Sequence, residues 1–332
     1  MKTEKVRVGV IGVAVQRHPQ VHLRALKSME DVELVAFCDV DGATLERACK
    51  EYGVKDGFLS HRQMLEKAQM DAVWVVCNWR FTHEVALDCL KAGVNSFLEK
   101  PPGLSAQECR ELAEAAEKSA CKAMVGFNRR FNCVISEARR LVEGGGATGP
   151  EGSDVIRVVH SDYGKGQSSA VLRDRQGRPV PPILVDALHH VDCIRYICGE
   201  VEEVMSANAC HYSENLDSFH AIIKFKNGSI GQINSNYHAL KVERLSLFAR
   251  NAWACVEGIH DQISGGKVYV NGCWHDLKGE ALMGRTDVVG FWDECRHFIN
   301  CVKEDKPVAY PASNLREAVK TMELVEAILA GG

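Results

Sequence analysis

Apolar residues follow two rhythms along the chain, and the change comes near residue 128. Before it, short apolar runs alternate with stretches of helical period. The runs are VRVGVIG, stopped by Gly12; VELVAFCD, ending on Asp39; DAVWVVCN; NSFLEK; and KAMVGFN. Between them, SHRQMLEKA opens with Ser60 and Gln63 at capping-box spacing, and SAQECRELAEAAEKS opens with Ser105 and Glu108 likewise. HEVALDCLKAG ends on Gly93, a helix-stop signal. Near-continuous apolar strands alternating with helices predict a doubly wound parallel sheet over residues 1–127.

After residue 128 the strands alternate apolar and polar and are joined by turns. Asn227-Gly228 and Asn271-Gly272 sit between strand patterns and predict tight hairpins. The expected second domain, residues 128–332, is an α/β unit with a largely antiparallel open sheet. An open sheet face needs a cover, so a homodimer or homotetramer is expected.

Composition narrows the classes. With 332 residues, 46% hydrophobic and 25% charged, two ordinary globular domains fit. A net charge of -4 gives no electrostatic case for nucleic acid or an anionic membrane. No apolar run reaches membrane-spanning length, and MKTEKVRVGVIG enters a strand without a signal-peptide pattern, so the expected compartment is the cytoplasm. The 14 cysteines form no C-x-x-C pair and mostly lie within apolar patterns, as small buried hydrophobes in a reducing compartment do. No metal site is expected, because no third ligand stands at convincing spacing from His189 and His190.

Candidate chemistry collects at predicted strand ends, where open parallel sheets bind ligands. The first strand–helix turn, GVIGVAVQRHPQVH, keeps Gly12 but carries Ala14 and Arg17 where the dinucleotide fingerprint has its second and third glycines. Alanine still lets the backbone approach a pyrophosphate, and Arg17 is either a phosphate contact or a solvated surface residue. Asp39 ends the second strand, where a carboxylate accepts from the ribose hydroxyls of NAD and repels the extra phosphate of NADP. Its bland alternative is a helix cap, which Asp41 can provide instead. Glu99, Lys100 and two prolines leave the fourth strand, placing a rigidly held ammonium at the same edge.

FLEKP followed by MVGFNRRFN, with HEVALDCLKAG upstream and HHVDCIRYICGE and FWDECRHFINCVKEDKPV downstream, resembles the Gfo/Idh/MocA oxidoreductases over nearly the whole chain. The resemblance implies a Rossmann domain, a C-terminal domain with an open antiparallel sheet, NAD(H) or NADP(H), and a sugar, cyclitol or related polyol as substrate. With Asp39, NAD is expected over NADP. Lys100 matches the family's catalytic lysine, and Lys100-Pro101 its commonly cis bond. Cys77, Asn78 and His83 match the cofactor side, although Trp79 replaces the usual proline, and Glu99 and Asn128 join the expected cofactor contacts.

The catalytic histidine belongs to ILVDALHHVDCIRY, which is one residue short of the family spacing. Anchored on the downstream helix it is His189, with Asp192 three beyond; anchored on Asp186 it is His190. Asp186 or Asp192 is expected to orient the imidazole. Arg173, Arg175 and Arg178 hint at an acidic sugar. Two alternatives within this resemblance are an NAD-dependent glycosidase that oxidises its sugar transiently, and a non-catalytic NAD-binding homologue.

Overall fold

The computed structural model describes residues 5–13, 17–144, 156–165, 172–213, 215–239, 241–258, 263–282 and 287–331. They form two compact units, Met1–Phe127 with Phe291–Lys320, and Asn128–Gly290 with Thr321–Gly332.

The first unit begins with β1 (Val6–Ile11), α1 (Arg17–Lys27), β2 (Val32–Cys38), α2 (Gly42–Tyr52), β3 (Asp56–Phe58) and α3 (His61–Lys67). It continues with β4 (Ala72–Val75), α4 (Thr82–Lys91), β5 (Asn95–Glu99), α5 (Ala106–Ser119) and β6 (Ala123–Gly126). β4 and β6 are buried at every residue, as strands covered on both faces must be. The five expected strands are present, and β3, too short and exposed to show as an apolar run, extends the edge.

The expected caps divide. Ser105 Oγ accepts from Glu108 N at 3.1 Å, while Glu108 reaches Leu104 N at 2.6 Å. Ser60 begins α3 without a side-chain cap bond.

The second unit holds α6 (Cys133–Gly144), β7 (Val158–Lys165), α7 (Leu188–Cys198), β8 (Val201–Ala209), β9 (Ser218–Phe225), β10 (Ile230–Tyr237) and β11 (Val242–Ala249). β12 (Ala252–Gly258), β13 (Ile263–Val270), β14 (Cys273–Lys278) and α8 (Gly279–Leu282) follow. Among the described residues the sheet runs β14-β13-β12-β11-β7-β10-β9-β8, antiparallel except for β7 beside β10. The hairpin at Asn271-Gly272 forms as expected, with both residues at positive φ, 50° and 83°. One face carries Val159, Tyr163, Ile233, Leu245 and Val256 into the core, with α6 and α7 packed on the sheet. Cross-strand pairing puts Met205 and Ile222 on the opposite face with Tyr269 and Trp274, and Trp274 is 60% exposed.

The chain then runs through α9 (Phe291–Lys303), β15 (Ser313–Asn314) and α10 (Leu315–Ala330). Residues 291–320 belong to the first unit, which corrects the expectation that all of 128–332 forms the second. The reason is aromatic packing. Phe298 of α9 meets Trp74 of β4 edge-on at 5.4 Å, and Trp74 stacks on Phe97 of β5 at 5.3 Å. Arg296 and Lys303 of α9 both bond Asp31, and their donors hold its carboxyl well below the usual carboxylate range. β15 pairs antiparallel to β6, completing the order β15-β6-β5-β4-β1-β2-β3. An amphipathic period shows that a helix buries one face, but not against which sheet.

Candidate active site

In the first unit the strand order reverses between β1 and β4, and the turns leaving these two strands meet. Gly12 has φ 93°, and a Cβ built on it would lie 2.5 Å from Cys77 Cα. Any other residue there would be strained and would fill the gap between the turns. Gly12 N donates to Cys38 O at 2.8 Å, which ties the turn to the end of β2. Burial pushes the Cys77 thiol up to about 11 and the Cys38 thiol up to about 12, so both are inert packing groups.

Asp39 follows β2, and its Oδ1 accepts from Asp41 N at 3.0 Å. Asp41 caps α2 by accepting from Thr44 N at 3.1 Å, so the helix does not draw on Asp39 for its cap. A glycine cradle and a strand-end carboxylate are the donor set a dinucleotide requires, and the residues present fit it. Ala14 lies outside the described residues, as does the Arg17 side chain; the Arg17 backbone starts α1.

The remaining expected cofactor residues of this unit separate. Asn78 accepts from Arg80 N at 3.1 Å and shapes its own turn, where the Arg80 guanidinium lies 4.4 Å over the Trp79 ring. His83 is turned toward α5, with Nε2 3.2 Å from Glu111 Oε2. Glu99 is bonded at both carboxylate oxygens. It is 7% exposed, with Oε1 2.7 Å from His22 Nε2 and Oε2 accepting from Lys100 N at 2.9 Å. Lys100 is half-buried, and its bond to Pro101 is cis, as the resemblance implies.

In the second unit the two histidines differ in environment. His190 is 2% exposed and packs its ring 4.9 Å from that of Tyr163. Its Nε2 lies 3.2 Å from Glu243 Oε1 and its Nδ1 2.5 Å from Ser161 Oγ. A carboxylate only accepts, so Nε2 carries the proton and Nδ1 accepts from the serine. Burial, with the nearby Arg129 guanidinium, lowers His190 well below the ordinary imidazole range. Arg129 also pairs with Glu243, closing a buried cluster. His190 is therefore a neutral core histidine, which is a correction for the reading that made it the base. His189 is half-buried at the start of α7.

Both expected orienting carboxylates have cationic partners. Asp192 is 1% exposed and is gripped by Arg130, Nε to Oδ2 at 2.7 Å and Nη2 to Oδ1 at 2.6 Å, with Thr321 Oγ1 adding a bond at 3.0 Å. It serves a bidentate core ion pair, which corrects its expected catalytic role. Asp186 Oδ2 accepts from Lys165 Nζ at 2.6 Å. The Asn128 amide donates to Val289 O at 2.8 Å and fastens a turn of the second unit. Arg178 pairs with Asp174 and Arg173 donates to Gly177 O, so these two tie their loop to itself, which removes much of the hint of an acidic sugar. Among the described residues no group of three metal-ligating side chains occurs.

His22, Ser161, Lys165 and Glu243 join the expected residues only in the folded chain. Only His22 carried a usable signal, a lone histidine on the buried face of the helix that follows the glycine turn.

The strand order and the glycine cradle at its switch point are those of a dinucleotide-binding fold. Residues 6–127 match the oxidoreductase family described as GFO_IDH_MocA with an NAD-binding Rossmann fold, and residues 156–254 match the GFO/IDH/MocA C-terminal domain. The chain belongs to the Gfo/Idh/MocA oxidoreductase family. Its family is one of oxidoreductases with an NAD-binding Rossmann domain. The chain is 29% identical to myo-inositol 2-dehydrogenase of Thermotoga maritima over 71% of this chain and 70% of that protein. It is 31% identical to a glycosyl hydrolase family 109 protein of Shewanella over 43% of this chain and 34% of that protein. The fold is shared with scyllo-inositol dehydrogenase from Lactobacillus casei, solved with NAD(H) and scyllo-inositol, at TM-score 0.77 and 18% identity over 99% and 97% of the two chains.

Proposed function

We propose that the chain transfers a hydride between NAD and a secondary hydroxyl of a sugar, cyclitol or related polyol. The observation that carries this reading is Lys100, half-buried at the carboxyl end of β5 and held through the bond from its backbone N–H to the anchored Glu99. The name of the T. maritima relative, an inositol dehydrogenase, supports the polyol class. Gly12 and its turn would hold the pyrophosphate, and Asp39 the ribose hydroxyls, which favours NAD over NADP. When bound, the nicotinamide supplies the hydride acceptor.

The remaining work falls to side chains. Lys100 donates to the reacting hydroxyl oxygen and stabilises the charge that develops on it. His189, the accessible member of the histidine pair, takes the hydroxyl proton. Asp186, paired with Lys165, presents its carboxylate two residues before α7 and is assigned to steady the charged imidazole. The test is a screen of cyclitols, sugars and uronates with NAD at alkaline pH, read as NADH absorbance. Steady NADH formation with one class is expected; no turnover with any would overturn the reading.

A second reading, an NAD-dependent glycosidase, is favoured by the similarity to the family 109 protein, although that match covers about a third of the other protein. Release of aglycone from a nitrophenyl glycoside without net NADH would establish it instead.

We also propose that a second copy of the chain covers the open face of the second unit's sheet, where Met205, Ile222 and Trp274 are exposed. A dimer or tetramer in light scattering is expected, and a monomer at micromolar concentration would refute it. No helix among the described residues is long and apolar enough to cross a membrane. The cytoplasm is proposed as the compartment, supported by free thiols throughout the chain.

A further inference from the structure

His22 lies wholly inside the first unit, 0% exposed, on the helix that follows the glycine turn. Phe97 and Phe291 hold its ring at centroid distances of 5.1 and 5.3 Å, so it has little freedom to turn. Its Nε2 meets Glu99 Oε1 at 2.7 Å and its Nδ1 meets Cys295 Sγ of α9 at 3.3 Å. The other Glu99 oxygen accepts from the backbone N–H of Lys100. Because a carboxylate only accepts, Nε2 is the protonated nitrogen and Nδ1 faces the thiol. One chain of hydrogen bonds therefore runs from α9 through α1 to the backbone of Lys100.

A buried carboxylate is costly unless its oxygens are bonded. Both Glu99 oxygens are bonded, one by His22 and the other by the Lys100 backbone N–H. Strand pairing fixes β5 only as far as Glu99↔Gly126. Beyond that point the Glu99 side chain supplies the bond that sets the Lys100 peptide.

We propose that His22 is a positioning residue for Lys100, acting through Glu99. The proposal rests on the reading that Lys100 holds the reacting hydroxyl. His22 touches no substrate; it fixes the carboxylate that fixes the peptide from which the ammonium projects. A misplacement of about 1 Å is enough to cost on the order of a hundredfold in rate.

The test compares His22→Gln with His22→Asn. The glutamine amide reaches the place of Nε2 and can still donate to Glu99. The asparagine amide reaches only the place of Nδ1. Rates are taken per NAD-binding site, titrated by fluorescence, so that loss of folded protein does not count. His22→Gln should keep kcat within a few-fold of wild type. His22→Asn should lower kcat by roughly tenfold to a hundredfold, with the Kd for NAD unchanged. In a Lys100→Met background, His22→Asn should add little, because the group it positions is gone.

Wild-type kcat in His22→Asn would overturn the proposal. So would equal losses in both variants, or a loss of the same factor in the Lys100→Met background, since either marks a purely structural role. Near-normal turnover in Lys100→Met alone would instead overturn the functional reading, and is distinguishable because it needs no change at His22.

Discussion

Glu99–Lys100 and His189–His190 are two places where the chain sets a pair of chemically active residues side by side. In each pair one member is pinned in the core and its neighbour is left half-buried. At the end of β5 the buried Glu99 is held by His22 and in turn holds the Lys100 peptide. At the start of α7 the buried His190 is held by Ser161 and Glu243. The difference lies in how the direction of the outer residue is set. β5 is buried on both faces through Glu99, so Lys100 is left half-buried because the strand stops just before it. On a helix, neighbours are about 100° apart, so either histidine can face inward and only the packing of β7 and β11 selects one.

Lys100→Met breaks the comparison most severely. Turnover should fall on the order of a hundredfold or more, as loss of a positioned electrostatic donor does, while NAD affinity stays. Lys100→Arg should rescue poorly, since a planar guanidinium cannot occupy the same point. Near-normal turnover in Lys100→Met would show that the outer member of the strand pair is only a surface charge.

The histidine pair separates by what is lost. His189→Ala should lower kcat/KM by roughly a hundredfold or more with an unchanged melting temperature. His190→Ala should cost about 1–3 kcal/mol of stability by leaving Glu243 short of a partner, with kcat per folded molecule nearly kept. If His190→Ala is the variant that loses rate, the assignment moves to the inner histidine.

Asp39 and Asp41 form a third divided pair, one capping α2 and one following the strand. Asp39→Ala should weaken NAD by roughly tenfold, through lost charge-assisted hydrogen bonds, and abolish most discrimination against NADP. Equal wild-type affinity for both cofactors would sink this assignment.

The smallest effect is a slope. Burial keeps His190 well below its ordinary value near 6.5, so below that pH the unfolded chain binds a proton that the folded chain does not. Stability from this group is then full above about pH 6.5 and declines as pH falls below it. His297, also lowered by burial, adds in the same direction. Melting temperatures between about pH 7.5 and 5.5 should fall more steeply for wild type than for His190→Gln. Identical slopes would show that His190 is not held neutral.

Much of the frame was readable in one dimension. Gly12, Asp39 and Lys100 each end an apolar run, and local periodicity is enough to place a strand end. The turn at Asn271-Gly272 was readable for the same reason, since its backbone conformation is a property of the two residues in it.

What local pattern cannot carry is partnership across distance. Asp192 stands three residues beyond His189, where the resemblance places a carboxylate to orient it, but Arg130, 62 residues away, takes both its oxygens. Residues 291–320 looked continuous with the second domain, but Phe298 finds Trp74 in the first. His22 and Cys295 lie 273 residues apart and become neighbours only in the folded core. The sequence alone determined where strands end and which charged groups stand there, because backbone direction and side-chain alternation are local. Which of those groups is pinned and which is left to act was decided by the tertiary structure, because burial and hydrogen-bond partners come from elements that meet only when the chain packs.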